Sequence, residues 1–393
     1  MSSKDRLVCA INYEEPDHVP LYLRVCGRGY LLDEEERWSD QFSRVKHALK
    51  LGLDDTVGFV PQLPLNPEVR VKSRKIMLFG EKYPVLVKEY ETPKGVLRQV
   101  VRQTHDWPHG DDIPVFSDHN VPPARSIEYL VKSERDLEAL QCLFTEPTAG
   151  QMEDFHREAE KVKDFAEKHD VLVECGGVGG SYEDLALGAD AAIWLCGVRK
   201  IVMMAYRSPG FLHQLLGIIH EWDMMRIRMV LECGGVDVMG HRAWYEGAFF
   251  SPTLYKRFIA PLIKEEVEAA HKAGVKYGYI VTRGLMPLLK ILKELGIDII
   301  FGVDPVQDNV NLSVVKREVG DDICLWGGVN SYITLSGAEE HIKSAVRYAI
   351  QTLAPGGGFI LSAVDAVLEE APSRGLRAMI EAWREYADYS IRG

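Results

Sequence analysis

Short apolar runs bounded by Gly, Pro, Asp and Asn alternate along this chain with longer stretches of helical period. Runs of that kind are the mark of strands buried on both faces of a parallel sheet. The pattern is clearest at residues 276–305, KYGYIVTRGLMPLLKILKELGIDIIFGVDP, which reads as strand, helix, strand. Each strand there ends in groups capable of chemistry: Thr282 and Arg283 after the first, Asp304 after the second.

Taken in order, HVPLYLRV (18–25) predicts a first strand and DDTVGFVP (54–61) a second, with a helix near 35–52 between them. From Val69 to about 103 the period changes to alternating β runs, VRVKSRKIMLFG, YPVLVKEYETP and GVLRQVVRQ, which predict an antiparallel insertion. A long irregular loop (105–126) follows, of the length that binding segments use. Helices at 133–168 lead to a third strand, VLVECGGVGG. Helices broken at SPGF (208–211) lead to a fourth at 235–243.

Ser251 as N-cap and Pro252 at the first helical position open one helix carrying Leu254, Phe258, Leu262 and Val267, and Gly274 closes it. Strands follow at 276–281, 298–302 and 323–327. A helix is expected from Ser336, with Glu339 in capping-box register. Then come the strand FILSA (359–363) and a last helix over 373–389.

Eight strands alternating with helices predict an α/β fold, a (β/α)8 TIM barrel occupying 1–393 as one domain, with the β insertion and loop (69–126) after strand two. An open doubly wound sheet is the alternative.

Composition narrows the function. The chain is 46% hydrophobic and 26% charged, as globular proteins are. Its net charge of -12, without clustered Lys and Arg, argues against a nucleic-acid partner. No apolar run approaches the ~20 residues of a membrane span, and the first residues lack a signal-peptide layout. A cytoplasmic protein with no membrane partner is expected. The seven cysteines form no C-x-x-C pair and read as reduced, packed thiols.

In a barrel the strand C-termini converge on one mouth. Arg24, Arg28, the glycines at 176–180, Trp244, Tyr245, Glu246, Thr282, Arg283, Asp304, Gln307, Asn330 and Asp365 stand at those ends. Singly, each could be a loop-fixing group; together they predict a ligand pocket. GGVGG lacks the dinucleotide spacing. His105 and His109 have zinc-like spacing, but Pro108 breaks the helix that would align them. No nucleophile–base arrangement stands out.

RLVCAINYEEPDHVP, LYLRVCGRGY, SPTLYKRFIAPLIKEEVEAAHKAG, LKELGIDIIFGVDPVQ, VNLSVVKREVGDDICLWGGVN and LAPGGGFILS resemble the uroporphyrinogen decarboxylase superfamily, in order and at family spacing. The resemblance implies a (β/α)8 barrel whose members are porphyrinogen decarboxylases or methyltransferases working with a corrinoid protein. Arg24 and Arg28 match the two arginines that bind substrate carboxylates in the decarboxylases. The histidine expected after strand eight is replaced by Asp365, which repels carboxylate side chains. Thiol-methylating members carry H-x-C after strand five and a later Cys as zinc ligands. Here Val281 and Arg283 hold the H-x-C positions and Ser331 lies near the later one.

AWYEGAFFSP, GVDPVQ, LWGGVN and LSAVD are similar to the ether-cleaving O-demethylases. This implies transfer of a methyl group from a methoxylated aromatic to the cobalamin of a partner corrinoid protein. The implied catalytic residues are Glu246, Arg283, Tyr245 and Asp365. The implied substrate contacts are Arg24, Arg28, Trp244, Asp304 and Asn330. Zinc is a further candidate cofactor, with Glu246 and Asp237 as the nearest ligands, and a homodimer is compatible with the sequence. The alternatives are another methyl donor or acceptor, a decarboxylase-like activity, or a barrel that only binds a tetrapyrrole or serves as an assembly partner.

Overall fold

The computed structural model describes residues 1–25, 38, 40–116, 125–176, 184–364, 366–367 and 372–389. Eight parallel strands form its central sheet: β1 (Leu21–Tyr22), β2 (Thr56–Gly58), β7 (Leu172–Cys175), β8 (Val238–Ala243), β9 (Lys276–Val281), β10 (Ile299–Val303), β11 (Cys324–Asn330) and β12 (Phe359–Val364). Their spatial order is β1-β12-β11-β10-β9-β8-β7-β2. The edge strands β1 and β2 meet through a parallel bridge between Tyr22 and Asp54. The sheet therefore curls back on itself in a TIM-barrel-like fold, as the alternation of strands and helices predicts, rather than staying open.

The seam between β1 and β2 is short and held by charge. Arg6 donates to Asp54 at 2.6 Å, and Asp54 accepts the Leu21 N–H at 3.2 Å. Burial, only partly offset by Arg6, pushes the Asp54 carboxyl up to about 6. The helix Ser3–Ile11 carries Arg6. Its Leu7, Ala10 and Ile11 join Tyr22, Leu172, Val238, Ile280, Ile299, Phe301, Cys324, Trp326 and Ile360 in one apolar cluster. That cluster takes residues from seven strands, several at their N-terminal ends, so the helix plugs the N-terminal end of the barrel. The functional face is left to the strand C-termini.

Between β2 and β7 in the chain lie β3 (Arg70–Ile76), β4 (Val85–Thr92), β5 (Gly95–Arg102) and β6 (Ser126–Glu128), a separate antiparallel sheet. This is the expected insertion. Trp107 and Ile113 from the following loop pack on its Leu86 and Val101.

Two helix boundaries differ from expectation. Ser251 caps its helix, accepting from the Leu254 N–H, but the helix ends at Phe258 and a second runs Ala260–Lys272. Pro261 has no N–H to donate one turn back, so the ladder breaks there. The helix expected from Ser336 begins instead at Glu339, with Ala338 as cap and no side-chain bond. The turn before it is closed by Gly337 N–H on the Thr334 carbonyl. Among the described residues, no helix is long and apolar enough to cross a membrane.

Candidate functional site at the barrel mouth

Alternation along each strand sorts side chains between the barrel interior and the helix layer. On β8, Val238 belongs to the inner cluster, whereas Met239 and Ala243 belong to the outer core. Gly240 and Arg242 therefore face inward and His241 outward. By the same rule Arg24 follows Tyr22 inward, since Leu23 and Val25 pack in the outer core. Glu174 follows Leu172, and Ser362 pairs in register with Tyr22. The interior toward the mouth thus carries Arg24, Glu174, Arg242 and Ser362, all buried.

Below them Trp326 stacks edge-on against Tyr22 at 5.1 Å and Phe301 at 5.7 Å. Its indole Nε1–H, the Ser362 hydroxyl, the Thr56 hydroxyl and the Trp244 indole Nε1–H are buried and make no hydrogen bond among the described residues. An unsatisfied buried donor costs about 1–3 kcal/mol. Several on one inner surface describe a lining that lacks its acceptor.

Arg242 is firmly held on this surface. Its guanidinium lies 3.5 Å from the Trp244 ring centroid and 4.4 Å from that of Trp194, in cation–π contact with both indoles. It donates to Asp184 and lies 3.7 Å from Asp190. Asp190 in turn accepts the backbone N–H groups of Trp244 at 2.9 Å and Tyr245 at 3.1 Å. Burial pushes its carboxyl up to about 8, against the pull of Arg242 and those two donors, with Glu246 adding to the rise.

The residues expected to carry chemistry divide. Arg24 and Trp244 lie at the mouth. Tyr245 turns the other way, into the outer core beside Phe249. Glu246 is fully buried, and its carboxylate is enclosed by the Ala189 N–H at 3.0 Å, His241 Nε2 at 3.2 Å and the Tyr279 hydroxyl at 3.0 Å. Asp304 accepts from the Val306 and Gln307 N–H groups and from the Asn330 amide at 2.7 Å. Asn330 accepts from Tyr332 and Ile333 N–H. Both side chains fix loops. Arg283 is exposed and makes no hydrogen bond or ion pair among the described residues. Arg28 and Asp365 lie outside the described residues.

Asp237 precedes β8 and binds Lys4 and the Val173 N–H, at the opposite end of the strand from Glu246. The two cannot share a metal ion. No group of three His, Cys, Asp or Glu side chains among the described residues is placed to hold one.

Behind the wall is a charged network that no strand-end reading identified. His241 Nδ1 lies 2.8 Å from Glu266, and its Nε2 faces Glu246. The Tyr277 hydroxyl donates to Glu266 at 2.5 Å, and His220 Nδ1 lies 3.3 Å from the same carboxylate. Burial opposes charge on His241, but Glu266 and Glu246 outweigh it and push the imidazole pKa well above its usual value. Burial likewise works against the Glu266 carboxylate, yet His241 and His220 bring it down to about 2. The available signal was local: Glu266 interrupts the apolar stripe of Ile263, Val267 and Ala270, and His241 and Arg242 interrupt a buried strand.

Comparison with known proteins agrees with this architecture. The profile of the family described as "Uroporphyrinogen decarboxylase (URO-D)" matches residues 189–386. The uroporphyrinogen decarboxylase of Thioalkalivibrio sulfidiphilus (strain HL-EbGR7) is 26% identical over 166 residues, 42% of this chain and 45% of that protein. That of Nocardia farcinica (strain IFM 10152) is 28% identical over 186 residues, 46% of this chain and 51% of that one. The chain spans about half the length of the curated relatives it matches. A solved methyltransferase from Methanosarcina mazei superposes with a TM-score of 0.58 at 18% identity, covering 98% of this chain and 99% of that one, a likeness of fold. Because the profile extends over half of the sequence and includes β8 to β12 with their mouth residues, this chain belongs to the uroporphyrinogen decarboxylase family.

Proposed function

We propose that this chain is a methyltransferase that takes the methyl group from an aryl methyl ether and passes it to the cobalt of a corrinoid carried by a separate protein. The observation that carries the reading is the set of buried donors on the inner face without acceptors of their own: Trp326 Nε1–H, Trp244 Nε1–H and the Ser362 hydroxyl. An aryl ether is a poor methyl donor because its phenolate leaves with a full charge. Donors fixed in a dry site, with Arg242 held against two indoles, stabilise an oxygen as that charge develops. Trp244, only partly buried, also brings an aromatic ring to the mouth for an arene.

The corrinoid enters as the methyl-accepting co-substrate. A thiol-activating zinc site is not supported, since the corresponding positions are Val281, buried in the wall, and the exposed Arg283. The described residues do not fit a zinc ion. Glu246 acts by position: it holds His241 and the start of the helix Gly188–Cys196 at Ala189.

The test mixes the chain with a cobalt(I) corrinoid protein and guaiacol, and follows conversion to methylcobalt(III) by absorbance. Conversion is expected, with Trp326→Phe and Ser362→Ala each slowing it by roughly 100- to 1,000-fold. No conversion with any methoxylated arene, or wild-type rates in both variants, refutes the proposal. Carbon dioxide release from uroporphyrinogen without corrinoid would put a decarboxylase in its place.

A further inference from the structure

Outside the barrel wall, beyond Tyr245, lies a groove of about 870 Å³. It is within the range of about 300–1,000 Å³ typical of small-molecule sites. It is separate from the mouth: Trp244 packs with the inner cluster, while Tyr245 turns outward and lines the groove. The walls are Tyr129, Met203, Met204 and Phe249. The Tyr129 ring rests on bare backbone at Gly197, where φ is +82° and a Cβ would meet the ring at 2.7 Å. Only glycine lets the ring and the helix Val198–Arg207 approach so closely.

The rim is basic. Arg199, Lys200 and Arg207 line it, and among the described residues no carboxylate does. That is contrary to the chain as a whole, with 58 acidic residues against 46 basic. Lys200 is engaged by the Val131 and Lys132 carbonyls. Arg199 and Arg207 are exposed and make no ion pair or hydrogen bond among the described residues. Arg199, Met203 and Arg207 follow each other at four-residue spacing, so cation, thioether and cation share one helix face.

We propose that this groove binds a small aromatic anion. Its apolar body would lie against Tyr129, Met203, Met204 and Phe249, and its carboxylate or sulfonate on Arg199 and Arg207. Methionine thioethers adapt to rings of different outline, and guanidinium forks pair with planar oxyanions. The inference does not depend on the methyl-transfer reading.

The experiment is a fluorescence titration of the full chain with 1-anilinonaphthalene-8-sulfonate. One saturable site per chain is expected, weakened about tenfold or more in the double variant Arg199→Glu/Arg207→Glu, where two charge-assisted contacts are lost. N-phenyl-1-naphthylamine, the same body without the anion, should bind about tenfold more weakly than the sulfonate. Met203→Lys should weaken both probes. These positions are on the surface, so circular dichroism and melting of the variants should match the parent.

Failure to saturate at one site, or unchanged affinity in the double variant, overturns the proposal. So does loss of a dimer in the double variant by analytical ultracentrifugation, which would assign the groove to a second copy. Methyl transfer to the corrinoid should be unchanged in the double variant; its loss would make the groove part of the mouth.

Discussion

Replacing Glu266 with Gln tests whether the network behind β8 is a true buried charge system. Glu266 is 1% exposed and takes His241 at 2.8 Å, Tyr277 at 2.5 Å and His220 at 3.3 Å on its two oxygens. A neutral amide removes the counter-charge and turns an N–H group toward one of the imidazolium donors. Breaking a buried ion pair costs about 3–5 kcal/mol. The unfolding entropy of roughly 2.1 cal/mol/K per residue amounts to about 0.8 kcal/mol/K over 393 residues. The melting point should therefore fall by about 4–6 °C. Its neighbour Glu265, 3.0 Å from His220 Nε2 but 63% exposed, supplies the control: Glu265→Gln should cost less than about 1 kcal/mol. The double variant Glu266→Gln/His241→Gln should lose less than the sum of its singles, by roughly 1–3 kcal/mol.

The network also sets a pH window. Burial works against charge on His220, but Glu266 and then Glu265 raise its pKa from 6.5 to about 9. Its contribution is complete below about 6.5 and lost as pH rises through about 9. Glu266 is lowered from 4.5 to about 2, so its contribution is complete above about 4.5 and lost as pH falls toward 2. Thermal melts across pH 2–10, scored by far-ultraviolet circular dichroism, read both limbs. If Glu266→Gln melts no lower than Glu265→Gln, or keeps the acid limb of the parent, the charge argument fails.

Two further outcomes follow from close contacts. Gly284, at φ +84°, packs its backbone on Gly247 so that a Cβ would meet the Gly247 carbonyl carbon at 2.1 Å; Gly52, at φ +77°, has open space. Gly52→Ala should cost about 1–2 kcal/mol for backbone strain alone and Gly284→Ala clearly more in urea melts, and equal losses would refute the packing argument. Arg242→Lys keeps the charge but loses the guanidinium's contact with Trp194 and Trp244. It should cost about 1–2 kcal/mol and shift the tryptophan emission, whereas an unchanged spectrum would refute the cation–π contact.

Much of the fold was legible because parallel strands buried on both faces are written as unbroken apolar runs. Stretches such as IIFGV (299–303) and FIL (359–361) need no partner to be read. The Ser251 cap was legible because a side chain three residues from an orphan N–H is a local fact. The Ser336 start failed for the converse reason. At 375 the backbone of the last helix packs against the Leu335 carbonyl, which a Cβ there would meet at 1.9 Å; that contact joins distant segments and leaves no local trace at 336. Asp304 and Asn330 were found as strand ends, but the needs of their loops decide what their oxygens do, and loop backbones have no period. Arg242 was passed over because it sits within β8 rather than after it, although alternation alone would have turned it inward beside Trp244.

β8 carries a charged residue on each face, Arg242 inside and His241 outside, and each would be costly alone in a buried strand. The start of the helix Gly188–Cys196 answers both. Asp190 takes the N–H groups of Trp244 and Tyr245, while Glu246, from the far side of the same turn, takes the N–H of Ala189. Between them Gly188, at φ +47°, touches His241 so closely that a Cβ would lie 2.5 Å from the ring. Asp223 closes the helix start by accepting from Leu187 and Gly188. Helix and strand end thus grip each other through reciprocal bonds from backbone N–H to side-chain carboxylate, and the contact of Arg242 with its two indoles inherits that rigidity. A cation fixed before the substrate arrives does not have to reorganise when charge appears on an oxygen. On this reasoning the outer network serves the mouth: weakening His241 or Glu266 should loosen Trp244 without touching any group that meets the substrate.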